Sequence, residues 1–176
     1  MDETAIAYAD SIYALASEED LGERIGEEIT EIDRIMKEIP EYRRLLSEPS
    51  IPGEERRKMI DEAWAGQIHQ YTLNFLKLLC DEGITGLIPQ IRERFMSEYD
   101  RDHNISRAVV TGAVKLSESQ LGELKRKLEE VSGRTVILTE KTDESLLAGL
   151  TVDMDGHRYD GSALSRLTAL RKAVKG

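Results

Sequence analysis

A chain of 176 residues with 40% hydrophobic and 33% charged side chains has room for one ordinary domain or two small ones, and it has the profile of a soluble, helix-rich protein. Its net charge of −10 repels nucleic acid and anionic lipid, which attract basic surfaces, so neither is expected as a partner. Aromatics make up only 5%, so a core must be built mainly from Leu, Ile, Val and Ala, and the single cysteine excludes an intramolecular disulfide.

From Thr4 to Ala16 the residues Ala5, Tyr8, Ala9, Ile12, Leu15 and Ala16 recur at helical spacing, which predicts an amphipathic helix. Ile25, Ile29, Ile32, Ile35, Met36 and Ile39 predict a second helix, stopped by Pro40, because proline disfavours helical geometry in the residue before it. A short helix is expected over 41–46. A turn through Glu48-Pro49-Ser50-Ile51-Pro52-Gly53 follows, with Ser50 as the next helix cap and Pro52 in its first turn. Residues 54–66 read as a surface helix and 68–82 as a strongly apolar one, ended by Gly83. Cys80 lies in that apolar run and is read as a small buried hydrophobe. Gly86 and Pro89 flank the start of a helix through Ile91 and Phe95 toward Tyr99. Helices joined by such short connections form a bundle.

Periodicity changes after Arg101-Asp102-His103-Asn104. The β-branched run 108–114 predicts a strand, and Ser117 with Gln120 forms a capping-box pair opening a helix that Gly133 closes. Further strands are expected at 134–139 and 147–154, with Asp155-Gly156 as a tight turn into a short strand at 157–160. A last helix is expected over 162–174, with Leu164, Leu167, Leu170 and Val174 on its stripe. The expected fold is mainly α with a smaller α+β part: a helical domain over 1–104, then a small domain with a short sheet and two helices over 105–176. The start, Met1-Asp2-Glu3, is acidic with no signal-like apolar stretch after it, and no window approaches the ~20 apolar residues that span a bilayer. A soluble, cytoplasmic chain is expected. Acidic residues crowd the first 40 positions, whereas the end carries Arg166, Arg171, Lys172 and Lys175. Two different partners would produce that asymmetry; a solvated acidic face is the blander account.

The residues offer little chemistry. No GxxxxGK[ST] loop or GxGxxG turn is present, and His69, His103 and His157 stand singly without HxxxH or CxxC spacing. A triad of Ser162, His157 and Asp160 lacks a nucleophile elbow, and turn and capping roles account for these residues. No catalytic, cofactor-binding or metal-binding residue is expected. The helices are more informative. Ala5, Ala9, Ile12 and Ala16 make a small-residue stripe suited to close packing, while Thr4, Tyr8, Ser11 and Leu15 lie on another. In the apolar helix, Thr72, Phe75 and Leu79 suit a core, while Tyr71, Asn74 and Leu78 form an adjacent stripe. Two such helices side by side make a groove for an amphipathic partner helix; a wide apolar stripe is also what an ordinary core requires.

Several motifs in fixed order resemble one family. Tyr8-Ala9 with Ile12-Tyr13 and Ala16 is similar to its YA-x-A-[LI]-[FY] helix, and Leu46-Ser47-Glu48-Pro49-Ser50-Ile51 to its L-x-N-P-x-[IV] turn. Asn74-Phe75-Leu76-Lys77-Leu78-Leu79, then Glu82-Gly83 and Leu87-Ile88-Pro89, is similar to its most apolar helix and following turn. Asp143-Glu144-Ser145-Leu146-Leu147-Ala148-Gly149-Leu150 resembles D-x-S-[LI]-[IL]-[GA]-G, and Asp160-Gly161-Ser162 with Arg166-Leu167 and Leu170 resembles D-G-S-x-x-x-[RQ]-L-x-x-L. The family is that of bacterial F-type ATP synthase delta subunits, related to the mitochondrial oligomycin-sensitivity-conferring protein. Departures occur at Ile84, where a basic residue is usual, at Asp81-Glu82, at Ser11 and at Ala148.

The resemblance implies a six-helix bundle followed by a small α+β domain, and a non-catalytic stator subunit on the cytoplasmic face of the bacterial membrane. It implies that the bundle binds the N-terminal helices of alpha subunits between its first and fifth helices. By position that groove includes Tyr8, Ser11, Asn74 and Leu78, with Ala9, Ile12, Leu15 and Tyr71 nearby. The C-terminal domain is implied to bind the C-terminal ends of b subunits, with Gly149, Asp160, Gly161 and Ser162 supporting its fold. A generic helical adaptor unrelated to ATP synthase is the alternative.

Overall fold

Six α-helices precede the first strand in the computed structural model, which describes residues 1–143 and 150–160. They are α1 (Glu3–Glu18), α2 (Gly22–Glu38), α3 (Pro40–Leu46), α4 (Gly53–Trp64), α5 (Gln70–Asp81) and α6 (Ile88–Asp102), with a 3₁₀ turn at Thr85–Leu87 leading into α6. Then follow β1 (Ile105–Gly112), α7 (Glu118–Ser132), β2 (Thr135–Thr142), β3 (Leu150–Met154) and β4 (His157–Asp160). The chain is thus mainly helical with a small four-stranded sheet, and it divides into two compact units, Met1–Tyr99 and Asp100–Gly176.

In the first unit, the helices bury the stripes their periodicity predicts. Ala5, Ala9 and Ala16 of α1 are fully buried, as are Ile25 of α2, Leu76 and Leu79 of α5, and Ile91 and Phe95 of α6 to within about one per cent. Close packing of this kind leaves no slack for added volume. At the α2–α6 crossing, a Cβ on Gly26 would stand 3.0 Å from Met96 Sδ and 3.1 Å from the Phe95 ring, and one on Gly22 would stand 3.0 Å from the Tyr99 ring. Gly26 therefore sits inside α2 despite glycine's poor propensity, and Gly22 opens that helix. Asp33, almost fully buried on α2, is paired with Lys37 at 2.7 Å and with Arg92 of α6 at 3.0 Å. Cys80 is buried, and its thiol donates to Leu46 O at 3.3 Å.

In the second unit, β1 runs between β2, to which it is parallel, and β3, to which it is antiparallel; the sheet order is β2-β1-β3-β4. A parallel pair needs a crossover, and α7 supplies it. Ser106, Ala108, Val110 and Gly112 of β1 are buried at every second position, and Ala108 and Val110 meet Val136, Val152, Met154 and the α7 residues Leu124 and Leu128. Ser117 caps α7 by accepting from Gln120 N–H, and the Gln120 side chain accepts from Ser117 N–H in return. Asp155 and Gly156, both at positive φ (52° and 78°), make the β3–β4 turn.

Some local expectations need correction. Pro40 does more than stop α2; it occupies the first turn of α3, where its missing N–H costs nothing. Ser50 does not cap α4: its hydroxyl donates to Glu48 Oε1 at 3.0 Å, and the cap position belongs to Pro52. The first strand starts three residues earlier than expected and stops at Gly112, where a Cβ would stand 2.9 Å from Val114 O as the chain bends away. The expected helix over 162–174 and the first residues of the expected third strand lie outside the described residues.

Candidate functional site

Helices α1 and α5 border an open groove of about 440 Å³. Tyr8, Ser11, Ile12 and Leu15 line it from α1, and Tyr71, Asn74 and Leu78 line it from α5, so seven of the eight candidate partner-binding residues meet in one place. The eighth, Ala9, does not line the groove; it is fully buried beneath α1, where its small side chain lets the helix pack against the core. Two further residues complete the lining, Ala7 and Phe75. Ala7 lies one helical turn before Ser11, so spacing alone would have found it. Phe75, expected in the core with Thr72 and Leu79, packs against the core partly buried and also faces the groove, while Thr72 and Leu79 are fully buried.

Among the described residues, no charged side chain lines the groove, and two of its polar side chains bond within their own helices. Ser11 Oγ donates to Ala7 O at 2.7 Å, and Asn74 Oδ1 accepts from Gln70 Nε2 at 2.8 Å. Tyr8 packs against Phe75 with ring centroids 6.3 Å apart and planes tilted by 53°. Leu78 is 45% exposed, unusual for a leucine beside a full core.

Both walls are tied down. Asp2 caps α1, accepting from Thr4 N–H at 2.8 Å, and the bonds from Thr4 hold its carboxyl below the usual range. Asp2 N–H donates to Gln90 Oε1 on α6 at 2.7 Å, and Arg94 on α6 reaches Asp10 of α1 at 2.8 Å. At the start of α5, His69 Nδ1 accepts from Tyr71 N–H at 3.2 Å, and the two rings meet edge to face with centroids 4.8 Å apart.

The second unit has a cleft of similar volume, about 430 Å³, between α7 and β2, lined by Leu121, Val136, Ile137 and Leu138 with the charged Lys125 and Glu140. Of the four signature residues, Asp160 ends β4, while Gly149, Gly161 and Ser162 lie outside the described residues. His157 and Asp160 occupy opposite ends of β4; three residues apart on a strand, they project to opposite faces about 10 Å from one another, which gives no acid–base pair. Among the described residues, no three His, Cys, Asp or Glu side chains cluster as a metal site requires, and no helix is long and apolar enough to cross a membrane.

Comparison with known proteins gives a consistent result. A family model described as the ATP synthase delta (OSCP) subunit matches residues 4–174. The ATP synthase subunit delta of Prochlorococcus marinus (strain MIT 9515) is 31% identical over 164 residues, covering 93% of this chain and 91% of its own. That of Lactobacillus gasseri is 27% identical over 174 residues, covering 98% and 95%. Among solved structures, a chain of the Toxoplasma gondii mitochondrial ATP synthase hexamer shares the fold with a TM-score of 0.72 at 14% identity, covering 99% of each chain.

Proposed function

The chain belongs to the ATP synthase delta (OSCP) subunit family, and on that premise we propose that the groove between α1 and α5 is where it grips the catalytic head. It is a peripheral-stalk subunit of an F-type ATP synthase, a membrane-associated complex, and is not itself catalytic. Membership in this family disfavours an unrelated helical adaptor.

In this reading the helical domain over 1–104, a six-helix bundle, receives the N-terminal helices of alpha subunits. The small domain over 105–176, with two helices beside its sheet, meets the C-terminal ends of the b subunits. The assembly sits on the cytoplasmic face of the bacterial membrane. The task is mechanical: rotor torque would carry the head round unless a stator held it, so the connector needs interfaces that dissociate slowly.

An amphipathic helix in an apolar groove meets that need, because a few buried anchors carry most of the energy and set the off-rate. The observation that carries this reading is a groove free of charged side chains among the described residues, built from two helices whose other faces are already buried in the core. Tyr8 is the anchor, since its ring sits over Phe75 and projects into the groove. Truncating it to alanine should weaken binding by on the order of 2 kcal/mol. Titration of an alpha N-terminal peptide into wild type and Tyr8→Ala tests this, and equal affinities would overturn it.

A further inference from the structure

The first turn of α5 is hydrogen-bonded to a carboxylate from outside that helix. Glu28, on α2, accepts from the backbone N–H of His69 at 2.8 Å through Oε1 and from the hydroxyl of Thr72 through Oε2. Its side chain is only 11% exposed, and Arg24 Nε donates to Oε1 at 3.0 Å, keeping the carboxylate paired. His69 is the N-cap of α5 and Thr72 its third helical residue, fully buried. In a capping box, a glutamate at that third position reaches back to the N-cap N–H. Here the helix has threonine there, and a different helix supplies the carboxylate.

We propose that Glu28 is a positioning residue for the groove: by capping α5 across the α2–α5 contact, it fixes the first turn of α5 and so the placement of Tyr71. The chain of contacts is short. Glu28 holds the N-cap backbone, the N-cap His69 side chain accepts from Tyr71 N–H, and the Tyr71 ring lies against His69 and lines the groove. A buried negative charge at a helix N-terminus is also favoured by the helix dipole, so the arrangement resists rotation or sliding of α5. The residues that would touch a docked helix are on α1 and α5, whereas the residue that sets their spacing is on α2. This inference rests on the reading that the groove binds a partner helix.

The test uses the full chain and a synthetic peptide of the cognate alpha subunit N-terminal helix, with affinity measured by calorimetry. Glu28→Leu keeps the size but leaves His69 N–H and the Thr72 hydroxyl without their acceptor, and should weaken binding about tenfold. Glu28→Gln can accept from His69 N–H while its amide donates to a rotated Thr72 hydroxyl, so it should restore most of the affinity. The decisive readout is a cycle with Tyr71→Ala: if Glu28 acts through Tyr71, Glu28→Leu should have little further effect once the ring is gone. Additive losses, or no rescue by glutamine, would overturn the proposal. If Glu28→Leu does not fold, Thr72→Val removes one of the two bonds at nearly constant volume and should weaken binding about threefold, and an unchanged affinity there also overturns it. Absence of peptide binding to wild type would count against the groove itself, whereas wild-type binding weakened by Tyr71→Ala but untouched by the Glu28 variants would count against this proposal alone.

Discussion

Leu78 offers a way to separate binding from folding. It is 45% exposed on α5, in the last turn of that helix, and it lines the groove. Burying a whole leucine side chain contributes about 1.5–3 kcal/mol, so a docked helix has roughly 1 kcal/mol to gain from the exposed part. Replacing it with lysine removes that gain and places an ammonium in a groove without a lining carboxylate. Partial desolvation of the charge, softened by the long stem reaching for water, adds about 1–2 kcal/mol. The expected loss of affinity is therefore roughly 2–3 kcal/mol, on the order of 30- to 150-fold. Folding should change much less. Lysine and leucine have similar helix propensities, and a cation in the last helical turn is favoured by about 0.3–1 kcal/mol, which offsets part of the lost packing. Urea unfolding of the free chain and co-elution of each variant with the isolated catalytic head give the two quantities. If Leu78→Lys held the head as tightly as wild type, or lost folding free energy as fast as binding, the reasoning about this face would be wrong.

Two other perturbations probe the scaffold. Gly122, exposed within α7, has nothing within 4 Å of where a Cβ would stand, so Gly122→Ala should stabilise the chain by about 1 kcal/mol, read as a higher urea midpoint. Burial pushes the Cys80 thiol above its usual 9.0, so the folded state keeps a proton that the unfolded chain releases. Its contribution is fully present below pH ~9 and is lost as pH rises through the folded value, so stability should decline on the alkaline side. Cys80→Ala should flatten that decline, and a thiol reagent should modify the native chain slowly at pH 8 but rapidly once it is unfolded.

Local sequence determined most of the elements because their causes are local. Apolar spacing marked α1, α2, α5 and α6, the Ser117–Gln120 pair opened α7, and Asp155-Gly156 formed the β3–β4 turn, since a tight turn at positive φ suits few other residue pairs. Element ends shifted from their expected places: Glu48 took the Ser50 hydroxyl, and β1 ended at Gly112, where a Cβ would crowd Val114 O. The candidate site was legible only in halves. Spacing put Tyr8, Ser11 and Leu15 on one stripe and Tyr71, Asn74 and Leu78 on another, but periodicity cannot say that two stripes 60 residues apart face each other. Packing decided that, and it set Phe75 at the edge of the core, where it also lines the groove. The Glu28 cap on α5 belongs wholly to tertiary structure: it replaces a local glutamate with one 41 residues away, and only the crossing of two helices brings that carboxylate to the N-terminus it serves.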